Sequence, residues 1–209
     1  RVATNDAGTY SVIVSNRHGL ATSANAVLTV IDASQFFDDF EPNIDLPLWS
    51  AFGGTVGSTV LATNYGGSVS GSNSLWFGDS GSRYATTLPL NTLMGGNILF
   101  WLRMGDSSGS NWEMADSGED VVLEYSVNGG STWVQCGGPY TPDAHRVWTR
   151  IELSIPPAAQ SSGTLFRWRQ VTNSGSSFDH WALDDVFIAT GPTPPALRAQ
   201  PAPLIVEAG

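Results

Sequence analysis

Lysine is absent from this chain of 209 residues: its nine cationic side chains are all arginine, against 19 Asp and Glu, and the formal charge is −10. A chain this acidic, without a basic cluster, excludes the attraction that nucleic acid or an anionic membrane surface requires. It favours solubility and leaves carboxylates available to a divalent cation. The single cysteine, Cys136, excludes an internal disulfide framework. That count leaves the compartment open, because disulfide-free chains occur on both sides of a bacterial membrane. No run approaches 18 apolar residues, so no membrane-spanning helix is expected. The chain opens at Arg1 with neither Met nor a signal peptide, and reads as a segment of something longer.

Helical periodicity is also scarce. What is present instead is a series of short alternating stretches: "TYSVIVSN", "AVLTVI", "NILFWLRM", "VVLEYSV", "RIELSI", "LFRWRQV" and "ALDDVFIA". Clusters of Gly, Pro, Asn and Ser separate them. Such spacing predicts an all-β sandwich or barrel. With 41% hydrophobic residues and eight Trp, a sizeable core is expected.

Three pieces follow one another. Residues 1–31 contain "NDAGTYSVIVSN", with Asp6, Gly8 and Tyr10 in D-x-G-x-Y spacing. This resembles the tyrosine corner of an immunoglobulin domain, so the piece is expected to be its last two strands; the position of the usual Cys is Val12. A plain hairpin belonging to the next domain is the simpler alternative. Residues 191–209, "GPTPPALRAQPAPLIVEAG", are Pro-rich. They read as a linker, and Pro195, Leu197, Gln200, Pro201, Val206 and Gly209 resemble the first strand of a further immunoglobulin-like domain. Residues 32–190 form the expected complete domain.

Four stretches of that middle piece, in order, carry a further resemblance: "FFDDFEP…LW", "GSNSLWFGDSGSRYATTLPLNTLMGGNILFWLRMG", "EDVVLEYSVNGGSTW" and "TLFRWRQ…DHWALDDVFI". Together they resemble a reelin subrepeat and the reelin-like modules of bacterial surface proteins. The opening "FE" and closing "DD" are also shared with MAM domains and several carbohydrate-binding modules. The resemblance implies a two-sheet jelly-roll β-sandwich. Reelin modules usually carry disulfides that this chain lacks, so no receptor partner is carried over.

Within it, "SVNGGSTW" (Ser126–Trp133) resembles the Asp-box of sialidases, with Asn128 in place of Asp. A sialidase propeller needs several blades and several boxes; this chain has one. The stretch is therefore read as a hairpin. Asn128-Gly129 is a strong hairpin signal because both residues can take positive φ, and the Asn128 side chain can bond its own turn.

Carboxylates gather near both ends of the middle piece: Asp38, Asp39 and Glu41, then Asp184 and Asp185. First and last strands of a jelly roll commonly lie side by side, and the acids would then repel unless neutralised. Ca²⁺ does this with six to eight oxygens. The resemblance implies a structural Ca²⁺ held by Glu41 and one of Asp184 and Asp185, Asp184 being preferred; Asp39 and Asp79 are further candidate ligands. Strict alternation along the last strand would turn one of the two Asp away from the other. Solvated strand-end acids are the bland alternative.

Other motifs point away from catalysis. "GDSGS" at Gly78–Ser82 looks like a serine-protease loop, but the only preceding histidine is His18. His145 and His180 lack metal-ligand spacing, and Cys136 has no neighbouring His. A glycosidase carboxylate pair would need a cleft that sequence alone does not supply. "FRWRQ" places Phe166, Trp168 and Gln170 on one face, expected in the core, and Arg167 and Arg169 on the other, for carboxylate pairing or an acidic partner. Trp76, Trp101, Trp148 and Trp181 sit in strand patterns and are expected in the core. Trp112, in a long polar loop, is either a lid or an exposed ligand-contacting ring.

The expected protein is thus a non-enzymatic extracellular module of a multidomain surface or secreted protein. It would act in adhesion, recognition or spacing, with an unidentified protein or glycan ligand. The alternative is a carbohydrate-binding module accessory to a glycoside hydrolase.

Overall fold

The structure, a computed structural model, describes residues 8–28, 36–54, 67–78, 80–105, 113–176 and 178–191. Two sheets of five strands carry the core. In chain order the strands are β1 (Gly8–Tyr10), β2 (Ile13–Asn16), β3 (Gly19–Thr22), β4 (Ala26–Leu28), β5 (Phe37–Asp38), β6 (Trp49–Gly53), β7 (Leu75–Phe77), β8 (Tyr84–Thr87), β9 (Gly96–Met104), β10 (Val121–Ser126), β11 (Val134–Tyr140), β12 (Thr149–Ser154), β13 (Leu165–Gln170) and β14 (Trp181–Thr190). One sheet runs β11-β10-β13-β8-β6; the other runs β12-β9-β14-β5, with β7 also paired to β14. All these pairings are antiparallel. The expected all-β sandwich is what the chain forms, and among the described residues there is no α-helix.

Alternation decides the faces. Along β9, Gly96, Ile98, Phe100, Leu102 and Met104 are buried, while Asn97, Leu99, Trp101 and Arg103 are half-buried on the outside. Along β13, Phe166, Trp168 and Gln170 enter the core and Arg167 and Arg169 turn outward, as expected. Aromatic rings join the two sheets. Trp168 meets Phe100 edge-on at 5.4 Å and Trp49 at 6.0 Å, and Trp49 meets Phe36 at 5.0 Å. Such contacts add about 0.5–1.5 kcal/mol each beyond the area they bury. Trp181 is fully buried and stacks on Phe77 at 3.9 Å. Trp76, Trp101 and Trp148, expected in the core from their strand patterns, are only half-buried, and of the three Trp76 packs against the core.

First and last strands of the sandwich do lie side by side: Phe37 pairs with Phe187 and Asp38 with Val186. The N-terminal piece is a nested hairpin, β1 on β4 and β2 on β3, exposed throughout residues 8–26. Among the described residues, none is an α-helix long and apolar enough to cross a membrane.

The Asn128 turn differs from the expected one. Positive φ falls on Gly129 and Gly130, and Asn128 does not adopt it. Instead the Asn128 side chain closes the loop: its Oδ1 accepts from the Thr132 N–H at 3.0 Å and its Nδ2 donates to Thr132 Oγ1 at 2.8 Å. The Gly130 N–H donates to Ser126 Oγ at 2.9 Å. A polar side chain bonding its own turn thus supplies what a two-residue turn would have supplied.

Candidate functional site

The acids of the opening "FFDDFEP" segment do different work. Asp38 is buried and serves as an internal clamp: Oδ1 accepts from the Phe40 N–H at 2.8 Å, and Oδ2 from the Asp45 N–H at 3.1 Å and Trp49 Nε1 at 2.7 Å. Burial pushes its carboxyl upward, and the Trp49, Phe40 and Asp45 hydrogen bonds only partly offset that. Asp39 accepts from the Glu41 N–H at 3.1 Å. Phe40 sits at φ 59° and is wholly buried, so the turn throws Glu41 outward.

Glu41 reaches one particular segment, residues 67–73, of sequence "GSVSGSN". Its Oε1 accepts from the N–H groups of Ser72 and Asn73, and its Oε2 from Asn73 Nδ2 at 3.1 Å. Asp184 meets the same segment. Its Oδ2 accepts from the Val69 N–H at 2.5 Å and the Ser70 N–H at 3.3 Å, and its Oδ1 from the Asp185 N–H at 2.8 Å. Asp185 accepts from Ser70 Oγ at 2.6 Å. Three carboxylates from the two ends of the domain therefore converge on one short Gly/Ser segment.

A β-bulge lets both Asp do so. The β14–β9 register slips between Asp184 and Phe187, and Asp185 takes φ 45°. The extra residue breaks the alternation that would have pointed Asp185 away, so the expectation of opposed faces is corrected here. Asp184 is fully buried beneath the segment. Burial pushes its carboxyl up to about 7; the amide bonds from Val69 and Asp185 pull it back, and the neighbouring Asp185 charge adds to the rise. Among the described residues, no three His, Cys, Asp or Glu side chains group closely enough to hold a metal by themselves. Every oxygen these acids turn to the 67–73 segment accepts from its amides, its Asn73 side chain or its Ser70 hydroxyl. Asp79 and Trp112 lie outside the described residues.

A second polar region lies on the outer face of the β11-β10-β13-β8-β6 sheet. Glu124 on β10 is shared by two arginines of β13: Arg167 Nη2 stands 2.7 Å from Oε2, and Arg169 Nη2 2.9 Å from Oε1. The Arg167 guanidinium stacks 4.0 Å over the Trp133 ring. Burial alone would raise the Glu124 carboxyl, but the bonds and charges of Arg169 and Arg167 outweigh it and hold it low. Beside Arg169 a cleft of about 480 Å³ opens between residues 81–82 and 171–175. Sequence reasoning placed the two arginines on this face but missed the cleft, because its walls are loops.

The remaining candidates are structural. Burial pushes the Cys136 thiol up to about 12, with Glu124 adding to the rise, so thiolate is scarce at neutral pH. His180 is buried with its ring 4.9 Å from that of Trp76.

Residues 57–189 match the family model described as reelin subrepeat B. Among solved structures, a carbohydrate-binding module of the β-sandwich superfamily is 15% identical, with a TM-score of 0.45, over 87% of this chain and 74% of that one. CBM35 from Paenibacillus barcinonensis is 15% identical, with a TM-score of 0.39, over 66% and 90%. The K3 adhesin domain of Lys-gingipain from Porphyromonas gingivalis is 16% identical, with a TM-score of 0.37, over 57% and 75%.

Proposed function

The chain belongs to the reelin subrepeat B family, and from that premise we propose that it is a non-catalytic extracellular module, acting in adhesion, recognition or spacing within a larger surface or secreted protein. The observation that carries this reading is the use made of the acids. Glu41, Asp184 and Asp185 hold the 67–73 segment by its own amides and hydroxyl. Carboxylates arranged this way brace a loop; a glycosidase pair would flank an open sugar site.

The same three residues are proposed to hold a structural Ca²⁺, with Asp39 nearby as a further oxygen donor. A bound cation would offset the burial that raises the Asp184 carboxyl and would neutralise Asp185 beside it. It would tie the start of the domain to its last strand through the 67–73 segment. Thermal unfolding of metal-stripped protein tests this. At a Ca²⁺ concentration about 100 times Kd, one native-state site adds roughly 2.7 kcal/mol, and the midpoint should rise by several degrees. Glu41→Ala should abolish the rise. An unchanged midpoint in wild type would remove the metal assignment.

Glycan recognition is the second reading, favoured by the polar cleft beside Arg169. Binding of oligosaccharides without their hydrolysis is the expected result; turnover of any glycoside by the purified chain would overturn the non-catalytic assignment.

A further inference from the structure

We propose that the cleft bordered by Arg169, between residues 81–82 and 171–175, binds a saccharide bearing a uronate carboxylate. This deepens the glycan reading above and rests on it. The protein carries a charge of −10, yet among the described residues lining this cleft the one ionisable side chain is Arg169. Its Nε and Nη2 are taken by Glu124, at 3.1 and 2.9 Å. Its Nη1 has a contact of 3.4 Å to the Gln170 carbonyl, beyond the usual 2.7–3.2 Å of a good hydrogen bond. Two arginines share one glutamate on this face, which leaves one positive charge, and Nη1 is the donor left to meet an incoming anion. Arg167 is stacked on Trp133 and does not line the cleft, so Arg169 is the cation beside it.

The walls are built and fixed. Fully buried Arg83 donates from Nη1 to Gln170 Oε1 at 3.1 Å and to the Asp179 carbonyl at 2.7 Å, and from Nη2 to the Gly175 carbonyl at 2.7 Å. Asn173 Nδ2 donates to the Gly81 carbonyl at 2.9 Å and so ties one wall to the other. Glu119 and Asp179, behind the loop, are engaged by the Ser174 hydroxyl and N–H. A ligand entering here does not have to order the loop first, which lowers the cost of binding.

The lining favours a sugar over an acidic peptide. Ser82, Thr172, Asn173 and Ser174 present hydroxyl and amide groups, suited to the hydroxyls of a pyranose. Val171 and Phe178, on the same loop, are each about half exposed, at 47% and 48%.

Isothermal titration of the whole chain decides the matter, with glucuronate- and galacturonate-containing trisaccharides against their neutral glucose and galactose counterparts. The expected result is binding of a uronate at least tenfold tighter than its neutral counterpart, weakening with salt. Arg169→Gln should erase that preference. Thr172→Trp, which crowds the cleft and leaves the Glu124 network intact, should erase binding, so the site stays testable if the arginine variant loses stability. Equal affinity for acidic and neutral sugars would overturn the uronate site and leave the glycan reading standing. Retention of the preference in both variants would place it elsewhere. Competition by a hexaglutamate peptide at equal affinity would make the cleft a site for acidic protein. No saccharide binding at all would remove both the site and the glycan reading.

Discussion

Glu124 shows how much one side chain carries on this sandwich. It is 8% exposed and balances two guanidinium groups at once. Glu124→Gln leaves both cations without their anion and should cost about 1–3 kcal/mol at neutral pH, read by urea unfolding. The pH dependence has a definite sign. The folded carboxyl lies below its ordinary value, so the unfolded chain takes up the proton first as pH falls. The stabilisation is therefore complete above the ordinary glutamate value of about 4.3 and drains away as pH drops through the folded value. The gap between wild type and Glu124→Gln should be constant above about pH 5.5 and shrink below pH 4. Sequence alternation exposed the arginines; it did not reveal Glu124, because charge pairing across strands depends on register. The opposite error occurred at Asp38, grouped with the cluster by sequence but committed to the indole of Trp49 and two backbone amides.

Among elements, β9, β10, β12, β13 and β14 were legible, each lying on one of the short strand-like stretches of the sequence, and burial alternates cleanly along β9 and β12. β11, "VQCGGPY", was not, since its Gly and Pro content mimics a turn. The 67–73 segment was also unreadable as a site component. Most of what it offers the acids is backbone N–H, which no side-chain motif advertises. Gly71 makes this testable. It sits at φ +54°, and an added Cβ would come 2.3 Å from Glu41 Oε1. Gly71→Ala should displace the Glu41 carboxylate, lower the melting midpoint, and weaken the Ca²⁺-induced rise at least tenfold in apparent affinity; an unaltered calcium titration would detach Glu41 from the site. The bulge in β14 was likewise hidden, because nothing in "ALDDVFIA" marks where the register slips.

At the scale of the whole molecule, the two-sheet architecture was the most legible feature: the alternating stretches called for an all-β sandwich or barrel, and the four ordered motifs resembled a two-sheet jelly roll. The core that joins the sheets centres on Trp168, which touches rings from both sides. Trp168→Ala should cost about 3–5 kcal/mol in unfolding free energy; a loss under 1 kcal/mol would show that the sheets are held mainly elsewhere. The cleft beside Arg169 was invisible in sequence because its walls come from segments about 90 positions apart, joined only by long-range hydrogen bonds.

The pairing of β5 with β14 has a mechanical meaning. The strands are antiparallel, with Phe37 opposite Phe187, so the backbone arrives at residue 36 and departs after residue 190 at one corner of the sandwich. Tension applied through those two points would pull the strands apart like a zipper, one rung at a time, instead of sliding them past each other. Two rungs open first. Further opening then runs into Glu41, fastened to the 67–73 segment, which is itself fastened to Asp184. Under such a load that carboxylate knot should act as the latch that sets the yielding force, and Glu41→Ala should lower the force at which the domain yields in single-molecule pulling.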